Sequence, residues 1–391
     1  MMYGVALALA AAAAIAYVNG ANDVSKGVAT LVGSGVTDYR RAILWGSFCT
    51  GLGGLGGAVF ANAMVGTFGK GLLSQGTVPT QAAALATIIG AAAWVAIATR
   101  AGLPVSTTHA IVGSIAGVGS VAYGFHGLKW ASLWGRIAMP LMISPMVALG
   151  LTYLGIRILK LKEQKEVSTP LSDCVCADVE ADVEGVLVLM QNSSDGSALV
   201  SAISSPELHF KVAPKETCSL EQPHLMAVTL SHLHWFTSGA TSFARGLNDA
   251  PKMAAIVLAA IALSGEKTDF RVPVFVLVTT GMVMGSWVAG RRVTSVLAEK
   301  VTKMNHQEGL LANLVTAALV GPGAAFGLPM STTHVSSGAI VGLGLQKNST
   351  LNWKTVREML LAWIVTLPSA ALLGILAYAV SRTILMWFLA A

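Results

Sequence analysis

Apolar stretches of membrane-crossing length recur along most of the chain, divided by short polar connections. The first half reads as a broken apolar run at 2–37, then runs at 42–69, 82–99, 104–124 and 131–158. The second half reads as 226–264, also broken, then 273–290, 309–326, 328–346 and 358–389. A hydrocarbon core of about 30 Å is crossed by roughly 17–25 apolar helical residues. The pattern therefore predicts an all-α integral membrane protein of about 10–12 membrane helices, half-helices and re-entrant hairpins included. The N-terminal stretch "MMYGVALALAAAAAIAYVNGAND" lacks a basic n-region and runs straight into a polar Asn-Asp pair, so it reads as the first membrane helix and not as a signal peptide.

The segment between the halves has another character. Residues 160–225 hold 11 of the 19 acidic residues and three of the four cysteines, with strand-like patches "GVLVLMQ" and "ALVSAIS". The expected organisation is an N-terminal membrane repeat at 1–160, a loop or small soluble domain at 161–225, and a C-terminal membrane repeat at 226–391. Cys174 and Cys176 are closely spaced, but two thiols do not make a zinc site. They read as reduced thiols in a cytoplasmic segment.

Composition supports the membrane reading: 54% of residues are hydrophobic and 11% charged, against about 25% charged in soluble domains. The net charge of +6 is no nucleic-acid signal, because Lys and Arg flank apolar runs and form no block. Five crossings per half is an odd number, so two homologous halves would sit upside down relative to each other. With the N-terminus outside, 14 Lys and Arg residues fall in inside connections and 6 in outside ones. The positive-inside rule favours that orientation. It places both termini outside the plasma membrane and 161–225 in the cytoplasm.

Two polar phrases occur twice. "GLPVSTTH" at 102–109 returns as "GLPMSTTH" at 327–334, an offset of 225. "GANDVSK" at 20–26 returns as "GLNDAPK" at 246–252, with the Asn-Asp pair offset by 226. Same order and nearly equal spacing indicate a duplication. Outside 160–225, Asp23 and Asp249 are the acids that interrupt apolar sequence, and they are equivalent residues of the two repeats. A carboxylate at that depth costs about 2.5–3.5 kcal/mol on translocon scales and marks an ion or proton site. Lys26 and Lys252 follow three residues later, on the same helical face. They, with Arg245, are candidates for tuning the charge; the plainer reading is an internal ion pair.

Pro104 and Pro329 disfavour helix in the residue before them. A helix can restart at Ser106 and Ser331, whose hydroxyls cap its free N–H groups. A half-helix N-terminus inside a membrane is an incipient anion site, and Thr107, Thr108, Thr332 and Thr333 add hydroxyls to it. His109 and His334 fall in the first turns. A Ser-His-Asp hydrolase is the enzymatic reading, but no nucleophile elbow or HExxH motif accompanies these residues. An anion channel would select with rings of Lys or Arg along an open path; compact polar clusters with buried acids suit a closed site. Two repeats, each with a broken helix, are the architecture of a secondary transporter. Two carboxylates beside a phosphate dianion would need cations entering with the anion, and that mutual requirement couples their fluxes.

In "GANDVSKGVATLVGSGV", "GLNDAPKMAAIV" and the paired "GLPVSTTH" and "GLPMSTTH", the chain resembles the inorganic phosphate transporter family. The resemblance covers both membrane halves. It implies a non-enzymatic symporter that imports inorganic phosphate with sodium ions through an alternating-access site near the bilayer midplane, needs no other cofactor, and works as a homodimer. The alternative is a proton-coupled phosphate or sulfate permease. Carried over, Asn22, Asn248, Ser106, Thr107, Thr108, Ser331, Thr332 and Thr333 would bind phosphate. Asn22, Asp23, Thr107, Asn248, Asp249 and Thr332 would bind sodium. The chain departs from the commoner Asn-Asp-Val-Ala-Asn phrase by carrying Ser25-Lys26 and Pro251-Lys252, which adds two cations beside the Asp pair.

Overall fold

The computed structural model describes residues 2–60, 62–69, 71–165, 174–180, 207–213, 226–265, 268–347 and 351–390. Its helices are α1 (Met2–Asp23), α2 (Ser25–Gly33), α3 (Tyr39–Phe60), α4 (Asn62–Gly69), α5 (Gln81–Arg100), α6 (Thr107–Tyr123), α7 (Trp130–Ser132), α8 (Met139–Lys165), α9 (Leu230–Ala262), α10 (Arg271–Ala289), α11 (Arg291–Ser295), α12 (His306–Ala325), α13 (Thr332–Gln346) and α14 (Trp353–Ala390). The chain forms two compact units: Met1–Lys160 with His234–Ala391, and Leu161–Leu233.

The smaller unit contains a three-stranded antiparallel sheet of β1 (Cys174–Glu180), β2 (Glu207–Ala213) and β3 (Met226–Thr229), in the order β2-β1-β3. Cys174 stands opposite Ala213 on one side and Thr229 on the other. The two strand-like patches of the sequence, at 185–191 and 198–204, lie outside the described residues. Met226–Thr229 is strand, so the helical half resumes at Leu230 and not at 226.

The larger unit is helical. Among the described residues, seven helices are long and apolar enough to cross a membrane. Three more explain themselves by what they carry. α9 holds Arg245, Asp249 and Lys252 inside it, which lowers its apolarity. α6 and α13 have 17 and 15 residues, about 25 and 22 Å at the 1.5 Å rise of an α-helix, short of a full crossing. Ten elements result, inside the range read from the sequence, and the protein is a multi-pass membrane protein.

One expectation about breaks needs correction. The stretch 226–264 is not interrupted: α9 runs unbroken through Pro251. A proline costs a helix one N–H and some room, and the close partners of α9 hold it in place.

Glycine sets the helix crossings, as expected where small residues allow backbones to approach. A Cβ on Gly20 would stand 2.0 Å from the Met282 carbonyl oxygen, and one on Gly285 would stand 1.9 Å from that of Tyr17. These contacts fix α1 against α10. A second such crossing is α3 on α9, where Gly53 meets the Phe243 carbonyl and Gly246 that of Thr50. The same exchange recurs further on. Gly113 of α6 faces Leu367 of α14, and Gly338 of α13 faces Pro145 of α8.

A buried charge cluster between two half-helices

Each half-helix is built by its phrase. Gly102 and Gly327 have φ of +74° and +72°, a backbone region glycine tolerates far better than other residues. Pro then keeps the chain extended up to Ser106 and Ser331. Their hydroxyls cap α6 and α13, accepting from the N–H of His109 and His334 at 3.2 Å each. Such a cap contributes about 1 kcal/mol.

Irregular backbone at membrane depth must find partners inside the protein. Here the asparagines of the other phrase supply them. Asn22 Oδ1 accepts from the Val105 N–H at 3.2 Å while its Nδ2 donates to the Leu103 carbonyl at 3.0 Å. Asn248 Oδ1 accepts from the Met330 N–H at 3.3 Å and its Nδ2 donates to the Met330 carbonyl at 2.8 Å. The Asn-Asp phrase of each repeat thus clamps the chain that leads into the half-helix of the same repeat.

The caps also meet across the repeats. Ser331 Oγ donates to Ser106 Oγ at 2.9 Å. The His109 and His334 rings lie 4.4 Å apart between centroids, and Trp363 closes on His334 at 3.9 Å. Thr333 Oγ1 donates to the Val105 carbonyl at 2.8 Å, and Thr108 Oγ1 to that of Met330 at 3.5 Å. Thr108 and Thr333 are therefore committed to backbone carbonyls here, each reaching from one repeat to the other.

Beside the caps lies a cluster of charge. Asp23 pairs with Lys26 at 2.8 Å and Asp249 with Lys252 at 3.3 Å, and both lysines are fully buried. The same-face geometry read from the sequence is realised in both repeats. Asn19 joins the two pairs: its Nδ2 reaches Asp23 Oδ2 at 3.1 Å, Asp249 Oδ2 at 3.3 Å and Thr107 Oγ1 at 3.0 Å. Thr107 Oγ1 itself donates to Asp23 Oδ2 at 3.4 Å. Thr332 receives Asn248 Nδ2 at 3.4 Å. Arg245 is fully buried, donates to Ser286 Oγ at 3.3 Å, and attracts both carboxylates. Its Nε and Nη1 have no hydrogen-bond partner among the described residues.

All thirteen sequence-predicted residues are buried in one region of the helical unit. Asn19 is the member that sequence reasoning missed. Its signal was available: Asn19 is offset from Arg245 by 226, the spacing of the Asn-Asp phrases. Glu308 is a second surprise, being buried although it sits near a helix end. It closes a capping box with Asn305 and pairs with Lys347 at 2.7 Å, apart from the cluster.

Paired half-helices, clamped extended segments and buried opposite charges inside a multi-pass helical unit define a membrane transport protein. The model of the phosphate transporter family matches residues 19–374, and the chain belongs to that family. A protein of Pyrococcus furiosus named as a phosphate permease is 27% identical over 95% of this chain and 94% of its own length. One of Bacillus subtilis, named as a low-affinity inorganic phosphate transporter, is 26% identical over 94% of each. The solved structure of a sodium-dependent phosphate transporter has the same fold, with a TM-score of 0.74 at 23% identity over 98% of this chain and 100% of that one.

Proposed function

We propose that the helical unit imports inorganic phosphate by cotransport with sodium, using the cluster between the half-helices as an alternating-access site. The observation that carries this reading is the convergence of Ser106 and Ser331 beside Asp23, Asp249, Lys26, Lys252 and Arg245. Two helix N-termini and an open guanidinium edge attract a tetrahedral oxyanion. Asn22, Asn248, Thr107 and Thr332 border the same space and would contact phosphate or sodium.

Inverted halves are part of this reading, and the glycine crossings support it. α1 runs parallel to α10: Ala16, Gly20 and Val24 pair in order with Gly281, Ser286 and Gly290. α3 runs parallel to α9: Trp45, Thr50 and Gly57 pair in order with Gly239, Gly246 and Pro251. Short connections make α1–α3 and α9–α10 antiparallel hairpins, so α1 and α9 run oppositely. That suits termini outside the plasma membrane and residues 161–225 in the cytoplasm. A homodimer, as the resemblance implies, completes the proposal.

The test is reconstitution into liposomes, with labelled phosphate uptake followed under sodium, potassium or proton gradients imposed one at a time, and with sulfate as competitor. Saturable uptake driven by sodium is expected. Uptake driven by protons, or stronger for sulfate, would favour the alternative permease; the absence of saturable uptake would reject the transport role.

A further inference from the structure

Each buried lysine has a complete set of oxygen partners. Lys26 Nζ donates to the Asn22 carbonyl at 2.7 Å, to Asn22 Oδ1 at 2.8 Å and to Asp23 Oδ1 at 2.8 Å. Lys252 Nζ donates to Thr108 Oγ1 at 2.8 Å, to the Met330 carbonyl at 2.9 Å and to Asp249 Oδ1 at 3.3 Å. An ammonium has three N–H donors, so both are saturated. Backbone carbonyl, side-chain oxygen and carboxylate in one place are also the ligand set of a hard metal cation.

We propose that Lys26 and Lys252, at equivalent positions of the two phrases, are built-in counter-cations that each fill an oxygen cage, so this chain binds at most one sodium ion per phosphate. The inference rests on the transport reading above and specifies its ion coupling.

Two observations support it. The first is geometric. With Oδ1 of each aspartate held by its lysine, only the Oδ2 atoms remain. Both turn toward Asn19 Nδ2, at 3.1 and 3.3 Å. Asn19 Oδ1, buried nearby, has no hydrogen-bond partner among the described residues. The carboxylate oxygens that no lysine holds thus gather at one shared position, around Asn19 Nδ2 and bordered by Thr107 Oγ1.

The second is charge. Lys26, Lys252 and Arg245 against Asp23 and Asp249 leave a formal excess of one positive charge. A bound phosphate dianion turns that into one negative charge, which a single monovalent cation neutralises. A second sodium ion would return the cluster to the single positive excess of its empty state and a third would double it, so the charge balances with one.

Sodium dependence of the initial rate of phosphate uptake in proteoliposomes tests this directly. The unaltered protein should respond to sodium hyperbolically, with a Hill coefficient no greater than 1. Lys26→Ala and Lys252→Ala each vacate a cage and should raise the coefficient toward 2, with uptake recovered at high sodium. A parental coefficient of 2 or more would overturn the proposal without any variant. So would lysine variants that transport with the parent's sodium response. If the unaltered protein shows no saturable uptake under any gradient, the transport reading itself fails, and this inference with it.

Discussion

Ser106 and Ser331 stand 225 positions apart in the chain and meet Oγ to Oγ at 2.9 Å. Each caps its own half-helix and touches the cap of the other. The two broken segments therefore form one structural junction, and the effects of changing one repeat should be felt in the other.

The ion pairs should dominate stability. Asp23→Asn or Asp249→Asn leaves a buried ammonium without its carboxylate, and removal of one partner of a buried pair costs about 3–5 kcal/mol. Each should abolish sodium-driven uptake and lower the unfolding temperature of the detergent-solubilised protein. Asp23→Asn combined with Lys26→Met should recover much of that temperature but not uptake. Equal unfolding temperatures for single and double variants would show that the pair is not coupled.

The two threonines that cross between repeats should not behave alike. Thr333→Val removes one donor from the Val105 carbonyl, a loss of about 1–3 kcal/mol where the group stays buried and unsatisfied. Thr108→Val also removes a ligand of Lys252. It should therefore change the sodium response as well as the KM for phosphate, whereas Thr333→Val should change KM alone. Identical sodium responses in the two variants would contradict the assignment of Thr108 to the Lys252 cage.

Asn19 is the shared donor of both carboxylates. Asn19→Asp adds a third acidic group between two others at a site sealed from water. Phosphate uptake should fall at least tenfold, a barrier change of about 1.4 kcal/mol. Asn19→Ala should retain more activity than Asn19→Asp; the reverse order would mean that like charge is tolerated there.

Glycine substitutions separate packing from chemistry. Gly285→Ala would place a Cβ 1.9 Å from the Tyr17 carbonyl oxygen, while at Gly135 nothing lies within 4 Å of the added atom. Gly285→Ala should prevent recovery of monodisperse protein. Gly135→Ala should be recovered at parental yield in size-exclusion chromatography.

Much of this site is legible in the sequence because its devices are local. A proline and a capping serine announce the half-helices, and i,i+3 spacing announces the Asp–Lys pairs. What stays hidden depends on partners distant in the chain. Asn19 lies inside an apolar helix, and its repeat counterpart is Arg245, so residue type conceals the equivalence. Pro251 suggests a break that the α3–α9 packing overrides. Thr108 and Thr333 look free until Met330 and Val105 are placed beside them. Glu308 looks like a solvated helix end until Lys347 is brought to it.

The proposed seat of the tetrahedral oxyanion is the cluster between the capped half-helices. Crystals grown with arsenate, a phosphate analogue with usable anomalous scattering, test it most directly. The anomalous difference map should place the arsenic between the N-termini of α6 and α13, within reach of Arg245. A peak confined to the surface cleft of Thr99, Arg100, Arg291 and Arg292, with none in the cluster, would contradict the account.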